Sequence, residues 1–468
     1  MKVEQIYTGC LAEAAYYVVS KGEAVVIDPL RETDPYIQRA ESDGAKIKYV
    51  LLTHFHADFV SGHVDLAKKT GATIVYGPGA KAEFDFHEAT DGEMLKVGDA
   101  EIHILHTPGH TLESTTYLLK DEQGREYCIF TGDTLFIGDV GRPDLAVKQG
   151  ELTERDLASH LYKSLRNKIM PLEDQVIVYP NHGAGSACGK NMSSETYDTL
   201  GSQKKMNYAL REDMTEEEFI NEVLDGLTKP PAYFPKNVMM NKQINPEIDE
   251  IISKGSSALS PDEVVHKVQN GAMVLDVRSQ HDFIQEHIPG SIFIGLDGSF
   301  APWVGALIPD IQQEIVLVVD EGREEEAVTR LSRIGYDNSV GFLSGGLNSW
   351  KEVGKETDSI RRVSPKDLED AVKDGAKVLD VRKASEFDAE HIDGAENVQL
   401  DYINDNMGNI DSSETYYVHC LGGYRSVIFE SILKSRGYHN LIDVDRGFRG
   451  IKEDTELPIT DFVCQSKS

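Results

Sequence analysis

His54, His56 and Asp58 alternate along Thr53-His54-Phe55-His56-Ala57-Asp58, directly after the apolar run Tyr49-Val50-Leu51-Leu52. Alternate residues of an extended segment point the same way, so these three side chains can converge on one point. Two imidazoles and a carboxylate together are what a transition metal binds. Three later stretches repeat the device. An apolar run ends at His106-Thr107-Pro108-Gly109-His110-Thr111, another at Thr131-Gly132-Asp133-Thr134, and a third at Pro180-Asn181-His182-Gly183. A single histidine at a strand end is usually structural. Four apolar strands that each deliver His or Asp to a Gly or Pro turn describe a metal site on one rim of a sheet.

A different chemistry is written near the other end. Tyr416-Tyr417-Val418-His419 reads as a strand that ends at Cys420-Leu421-Gly422-Gly423-Tyr424-Arg425-Ser426. A cysteine at a strand-to-helix turn sits at a helix N-terminus, where backbone N–H groups and the dipole favour a thiolate. The glycines let the loop over Leu421, Gly422, Gly423 and Tyr424 curl into an anion nest, and Arg425 adds positive charge. Such a Cys420 can accept a sulfane sulfur and hold it as a persulfide. A cysteine phosphatase is the runner-up, but its cradle has five residues between Cys and Arg, and here there are four.

These residues need elements to position them. Residues 1–30 read as three short strands, 34–43 as a helix, and 47–52 as the buried strand that feeds the histidine motif. A helix over 64–69 and strands over 73–76, 101–105, 115–119, 127–130 and 176–179 follow. Strands and helices interleave, which predicts a layered α/β domain. A helix over 213–226 closes it, Lys229-Pro230-Pro231 and Asn245-Pro246 break regular structure, and the boundary is set at 250. Beyond it the chain repeats. Ser260-Pro261, Val274-Leu275-Asp276-Val277-Arg278 and Phe283 return 104 positions later as Ser364-Pro365, Val378-Leu379-Asp380-Val381-Arg382 and Phe387. A constant offset over separate segments is a tandem duplication, giving domains over 1–250, 251–358 and 359–468. In the first copy, Asp320 is expected where Cys420 stands and Glu325 where Arg425 stands. That copy cannot carry sulfur.

Composition bounds the rest. At 468 residues and 40% hydrophobic, the chain is globular with about two to four domains. A formal net charge of −32 repels phosphate backbones and anionic lipid, so neither nucleic acid nor a membrane is an expected partner. No secretory pattern follows Met1, and no apolar run reaches the ~20 residues of a spanning helix. Five scattered cysteines (Cys10, Cys128, Cys188, Cys420 and Cys464) are no disulfide framework and suit a reducing cytoplasm.

The segments around His54–Asp58, Thr107–Thr111 and Gly132–Phe136 resemble the metallo-β-lactamase superfamily, and within it persulfide dioxygenases and hydroxyacylglutathione hydrolases. The resemblance implies an αβ/βα sandwich. It also implies metal ligation by His54, His110 and Asp133, with His56, Asp58 and His182 supporting the ligands. In the hydrolases a histidine directly after the motif's Asp serves a second metal; here Phe59 stands there, which points to one metal. The dioxygenase likeness implies one Fe(II) per chain, with zinc a possible substitute. Arg142 and Cys188 are candidates for contact with substrate. Dioxygenases using glutathione persulfide often carry a tyrosine soon after the fourth histidine, and residues 183–191 contain none.

The repeated half resembles rhodanese domains, small and doubly wound, with Cys420 and Arg425 catalytic. Together these resemblances imply a persulfide dioxygenase fused to a sulfurtransferase. It would oxidise a small-molecule persulfide (of glutathione or coenzyme A) with O2, and make or use thiosulfate from sulfite, in cytoplasmic sulfide detoxification. A zinc thioester hydrolase with an appended sulfurtransferase, and a non-enzymatic sulfur relay, are the alternatives. A homo-oligomer is allowed but not specified.

Overall fold

Strands that are apolar on both faces need cover on both, and this shapes the N-terminal half. The computed structural model describes residues 1–147 and 152–460; Cys464 and the end of the 359–468 segment lie outside the described residues. The chain divides into two compact units, Met1–Asp249 with Ser332–Gly335, and Glu250–Leu331 with Tyr336 onward.

In the first unit, β1 (Lys2–Thr8), β2 (Glu13–Ser20), β3 (Glu23–Ile27), β4 (Lys46–Leu51), β5 (Thr73–Tyr76) and β6 (His87–Glu88) form one sheet in that order. A second sheet contains β7 (Met94–Val97), β8 (Ala100–His106), β9 (Thr115–Lys120), β10 (Glu126–Gly132), β11 (Ile177–Pro180) and β12 (Asp198–Thr199), also in sequential order. Side-chain alternation assigns each strand two cores. On β2, Tyr16 and Val18 join Ile102, Tyr117 and Phe130 between the sheets, while Ala15 and Tyr17 pack with Tyr36 and Leu66 of the outer helices. On β10, Phe130 faces inward, whereas Ile129 meets Leu161 of the helix Glu154–Ser164 and Phe219 of the helix Glu216–Leu224. The result is an αβ/βα sandwich, as expected. Strands β4, β8, β10 and β11 end at His54, His110, Asp133 and His182 or a short turn before them.

The helix Glu216–Leu224 lies within the 213–226 reading. The proline-rich stretch after it does not stay irregular: Phe234–Asn241 and Ile248–Gly255 are helices. Pro235 lies in the first turn of its helix, where a missing N–H leaves no intrahelical bond unmade.

In the second unit the duplication is visible in topology. The first copy has strands β13 (Ala258–Leu259), β14 (Met273–Asp276), β15 (Ile292–Phe293), β16 (Ile315–Val318) and β17 (Ser339–Leu343), in spatial order β13-β17-β16-β14-β15. The second has β18 (Arg362–Val363), β19 (Lys377–Asp380), β20 (Glu396–Asn397), β21 (Tyr416–His419) and β22 (Leu441–Val444), in order β18-β22-β21-β19-β20. Both are all-parallel. The repeated Ser-Pro is a helix start in each: Ser260 and Ser364 cap helices in full capping boxes with Glu263 and Asp367, with Pro in the first turn. The repeated Asp-Val-Arg is a structural clamp. Arg278 pairs with Asp276, and Arg382 with Asp380, each at 2.6 Å, and the same guanidinium nitrogens reach Glu286 O and Glu390 O.

Candidate metal centre and sulfur-transfer loop

Leu51 ends β4 in the inter-sheet core, and the chain then leaves the sheet through Thr53, which Asp28 holds twice. Asp28 Oδ1 accepts the Thr53 N–H and Asp28 Oδ2 the Thr53 hydroxyl, both at 2.8 Å. Gly132 makes the close approach possible: its φ is +51°, and a Cβ there would lie 2.4 Å from Thr53 Oγ1.

The imidazoles are oriented one by one. His54 Nδ1 lies 3.0 Å from Thr53 Oγ1, His110 Nδ1 is 2.8 Å from Arg142 O, and His182 Nδ1 is 3.2 Å from Ala12 O. Each contact uses the Nδ1 proton and leaves the Nε2 lone pair free. Those three Nε2 atoms surround Asp133. His54 and His110 lie 3.9 and 3.4 Å from Oδ2, and His182 lies 3.6 Å from Oδ1. All are buried, and neither Asp133 oxygen has a hydrogen-bond partner among the described residues. A buried carboxylate without donors is costly, and facing imidazole lone pairs makes it worse unless a cation sits between them. The ligand atoms of His54, His110 and Asp133 lie within 4.8 Å of one another. The donor set therefore fits a divalent metal, and two imidazoles with one carboxylate accept either iron or zinc.

The electrostatics agree. Burial, with neighbouring His56, His110 and His182, drives His54 well below the ordinary imidazole range, so it is neutral and able to ligate. Burial raises Asp58, with Asp133 adding to the shift. His182 is pulled down by burial, but Asp58 and Asp133 outweigh this and leave it raised.

The expected supporting residues divide. His56 gives Nε2 to Asp28 Oδ1 at 2.9 Å, a bond to a carboxylate that itself holds Thr53. Asp58 and His182 instead face each other, with Oδ2 to Nε2 at 3.3 Å, directly beside Asp133. Phe59 stacks on His56, with ring centroids 4.3 Å apart.

In the second unit, Cys420 follows β21 and is buried. The Gly423 N–H donates to its Sγ at 3.1 Å, with Gly423 at φ +99°. Phe448 N–H and Arg449 N–H clamp the carbonyls of Cys420 and Leu421. The helix Tyr424–Ser435 begins there, and Arg425 points to Glu386. The Tyr424 hydroxyl donates to Gly295 O of the first copy, so its side chain serves the packing of the two copies. Strand register corrects the expected equivalence of Asp320 and Cys420. Asp276 pairs with Val318 whereas Asp380 pairs with His419, so Val319 occupies the place of Cys420, with Asp320 one residue further. The first copy's loop is one residue longer, and its exposed Asp320 and Glu325 make it acidic.

Comparison with known proteins agrees with this geometry. Residues 8–182 match the metallo-beta-lactamase superfamily, and residues 260–353 and 364–454 match the rhodanese-like domain. A hydroxyacylglutathione hydrolase, GloC, from Haemophilus influenzae is 30% identical over 206 residues, 39% of this chain and 85% of that protein. The mitochondrial persulfide dioxygenase ETHE1 of Mus musculus is 30% identical over 210 residues, 44% of this chain and 73% of that protein. The crystal structure of a metallo-beta-lactamase from Staphylococcus aureus is similar to this chain at 30% identity, with a TM-score of 0.64, covering 73% of this chain and 98% of that one.

The chain belongs to the metallo-beta-lactamase superfamily.

It carries two rhodanese-like domains in addition. Two residues expected at the superfamily site are placed differently from a free substrate contact. Arg142 is buried, forms a two-point pair with Asp144 at 2.7 and 2.8 Å, and donates to Ala187 O and Thr228 O. It is a strut whose carbonyl orients His110. Cys188 is buried, and burial, with Asp58 and Asp133, holds its thiol well above the usual range. Sequence reasoning missed Asp28 and Glu13. Asp28 reads in the sequence as a turn residue before Pro29. Glu13, fully buried with both oxygens unpartnered, has its carboxyl pushed well up by burial and by Asp58 and Asp28; a charged residue amid the apolar β2 run was its only signal. No helix among the described residues is long and apolar enough to cross a membrane.

Proposed function

We propose that the metallo-beta-lactamase-fold domain oxidises a low-molecular-weight thiol persulfide with O2, and that the Cys420 domain transfers sulfane sulfur between a persulfide and sulfite. The first reaction balances as RSSH + O2 + H2O → RSH + SO3²⁻ + 2 H⁺. In the second, Cys420 attacks a sulfane sulfur, releases the thiol or sulfite that held it, and passes the sulfur on as persulfide; sulfite as acceptor gives thiosulfate. His54, His110 and Asp133 would hold one ferrous ion, with zinc a possible substitute, and that ion would supply the O2 chemistry. The protein's part is orientation: Thr53 and Arg142 O fix His54 and His110, and Asp28 fixes Thr53 and His56. Domain limits at 1–250, 251–358 and 359–468 and a cytoplasmic role in sulfide detoxification complete the reading.

The observation that carries it is the pair of unpartnered Asp133 oxygens facing imidazole Nε2 atoms, together with the ETHE1 likeness and a cysteine cradle in the same chain. The GloC likeness favours a second reading, a zinc thioester hydrolase. Anaerobic loading with Fe(II), then an oxygen-electrode trace on adding glutathione or coenzyme A persulfide, separates them. Oxygen uptake with sulfite release is expected. Hydrolysis of a glutathione thioester by zinc-loaded protein, with no oxygen uptake by the iron-loaded form, would reverse the assignment.

A further inference from the structure

Four residues of the repeat without a cysteine belong to the first unit. Ser332–Gly335, from the end of the helix Glu324–Ser332 and the turn that follows it, pack with Met1–Asp249. We propose that Arg333 of this turn is a positioning residue of the metal centre, acting through three rim loops that carry or orient the imidazoles. This requires only that His54, His110 and Asp133 hold a divalent ion, whichever reaction that ion supports.

Each loop meets Arg333 by a separate contact. The Arg333 carbonyl accepts the Val60 N–H at 2.6 Å. Val60 is buried, and it directly follows Phe59, whose ring stacks on His56. The guanidinium takes the second loop through Glu32: Nε donates to Oε1 and Oε2 at 3.0 and 3.2 Å, and Nη2 also reaches Oε1. Four residues before Glu32, Asp28 holds Thr53 and His56. Nη1 lies 3.6 Å from Cys10 Sγ, in the turn that places Ala12 O against His182 Nδ1. The tie runs both ways, since the buried Arg31 donates to Ser332 O at 3.0 Å and to Pro246 O at 3.3 Å.

The chemistry of the side chain suits this place. A guanidinium offers five N–H donors in a fixed fork, so it can serve partners in several directions, which an ammonium on a flexible stem does less well. The Arg333 and Glu32 side chains are 16% and 21% exposed, and a pair this far from bulk water is screened little by salt. Removing the arginine leaves a partly buried Glu32 without its cation, and the loop that carries Asp28 must then give way. Ligands hold a metal only when their supports fix them to within about 0.5 Å, so slack at Glu32 and Val60 is felt at Thr53 and His56, and through Thr53 at His54. A repeat that cannot carry sulfur thereby retains a part in the metal centre.

Chelator-stripped full-length protein loaded with Co²⁺ tests this. The readouts are the visible d–d bands of the ion, its affinity by chelator competition, the melting transition and thiosulfate sulfurtransfer. His110→Ala identifies the bands that belong to this centre. Arg333→Ala should change those bands and lower cobalt affinity about tenfold, with sulfurtransfer and melting retained. Glu32→Gln should change the bands in the same way, and Arg333→Lys should lie between Arg333→Ala and wild type. If Arg333→Ala does not fold, Glu32→Gln and Arg333→Lys carry the same test with smaller shifts. Wild-type bands and affinity in the Arg333 variants overturn the proposal. So does a loss of melting temperature and sulfurtransfer with the bands unchanged, which would make Arg333 a folding contact only. A wild-type chain without bands sensitive to His110→Ala would refute the metal centre itself, a separate failure.

Discussion

Arg425 gives both terminal guanidinium nitrogens to Glu386, Nη1 to Oε2 at 2.6 Å and Nη2 to Oε1 at 2.9 Å. The hydrogen bonds from Arg425 hold Glu386 below the usual carboxylate range and raise the guanidinium in return. The arginine therefore reaches the Cys420 loop with its charge already offset. Losing a charge-assisted hydrogen bond costs about 1.5–3 kcal/mol, so Arg425→Ala should raise KM for thiosulfate roughly 10- to 100-fold. Glu386→Gln leaves the guanidinium uncompensated and should lower that KM, more so at low salt. Steady-state sulfurtransfer at two ionic strengths checks both. A KM raised equally by both substitutions would make Glu386 an orienting partner only.

Tyr424 gives the first copy a physical role. Its hydroxyl donates to Gly295 O at 2.8 Å, its ring meets Phe293 edge-on, and a Cβ on Gly298 would sit 2.2 Å from its Cζ. Ser431 of the same helix accepts the Phe293 N–H at 3.0 Å. Gly298→Ala should push the ring, and with it the start of the helix that follows Cys420. Sulfurtransferase turnover should fall severalfold while persulfide-dependent oxygen uptake is unchanged. Tyr424→Phe, which loses one hydrogen bond worth about 1 kcal/mol, should be milder. Unaltered turnover in Gly298→Ala would show that the loop stands without this support.

Legibility followed locality. The run ending at Leu52 announces a buried strand, and a strand end followed by two alternating histidines announces a rim site; both are properties of a few adjacent residues. The helix Glu154–Ser164 also had a local signal, the Thr153–Asp156 capping box, which an apolar-run search passes over. Pro235 is ambiguous in the sequence, because proline suits both the first turn of a helix and a break. Tertiary neighbours were another matter. Nothing near Asp28 says that Thr53 and His56 will return to it, and nothing near Cys188 says that its loop folds onto Asp58. The exchange of Val319 for Asp320 is a one-residue register difference between β14–β16 and β19–β21, visible only once the strands pair.

Glu430 lies buried on the helix after Cys420, with both oxygens unpartnered among the described residues. Burial, then Asp443, pushes its carboxyl well above the ordinary range, and burial pushes Asp443 up to about 6, against the pull of Arg362. A carboxyl raised in the fold stabilises it fully below its unfolded value, and that stability is lost as pH rises through the folded value. Stability should therefore fall from about pH 4 to pH 6 through Asp443, and beyond that through Glu430. Glu430→Gln keeps the shape, can donate to Asp443, and removes the higher-pH part. Calorimetric melting of the full chain should show a higher, flatter transition for the variant between pH 6 and pH 8. A variant slope as steep as the wild type's would place the titration elsewhere.

Asp28 makes the last prediction, because three donors depend on one carboxylate: Thr53 N–H, the Thr53 hydroxyl and His56 Nε2. The residue sits at φ 49°, a backbone region that Asn also tolerates, so Asp28→Asn tests the acceptors without straining the chain. With the amide oxygen in the place of Oδ1, keeping Thr53 N–H and His56 Nε2–H, the NH2 faces the Thr53 hydroxyl, which can no longer donate there. Thr53 should turn, releasing His54 Nδ1. Loss of such an outer partner typically lowers metal affinity about 10- to 100-fold, and competition with a coloured chelator measures it. Asp28→Asn should fall in that range with its melting transition retained. His56→Gln should fall less, since it leaves the chain from Asp28 through Thr53 to His54 intact. Equal affinity in Asp28→Asn and wild type would mean that Thr53 holds His54 without help from the carboxylate.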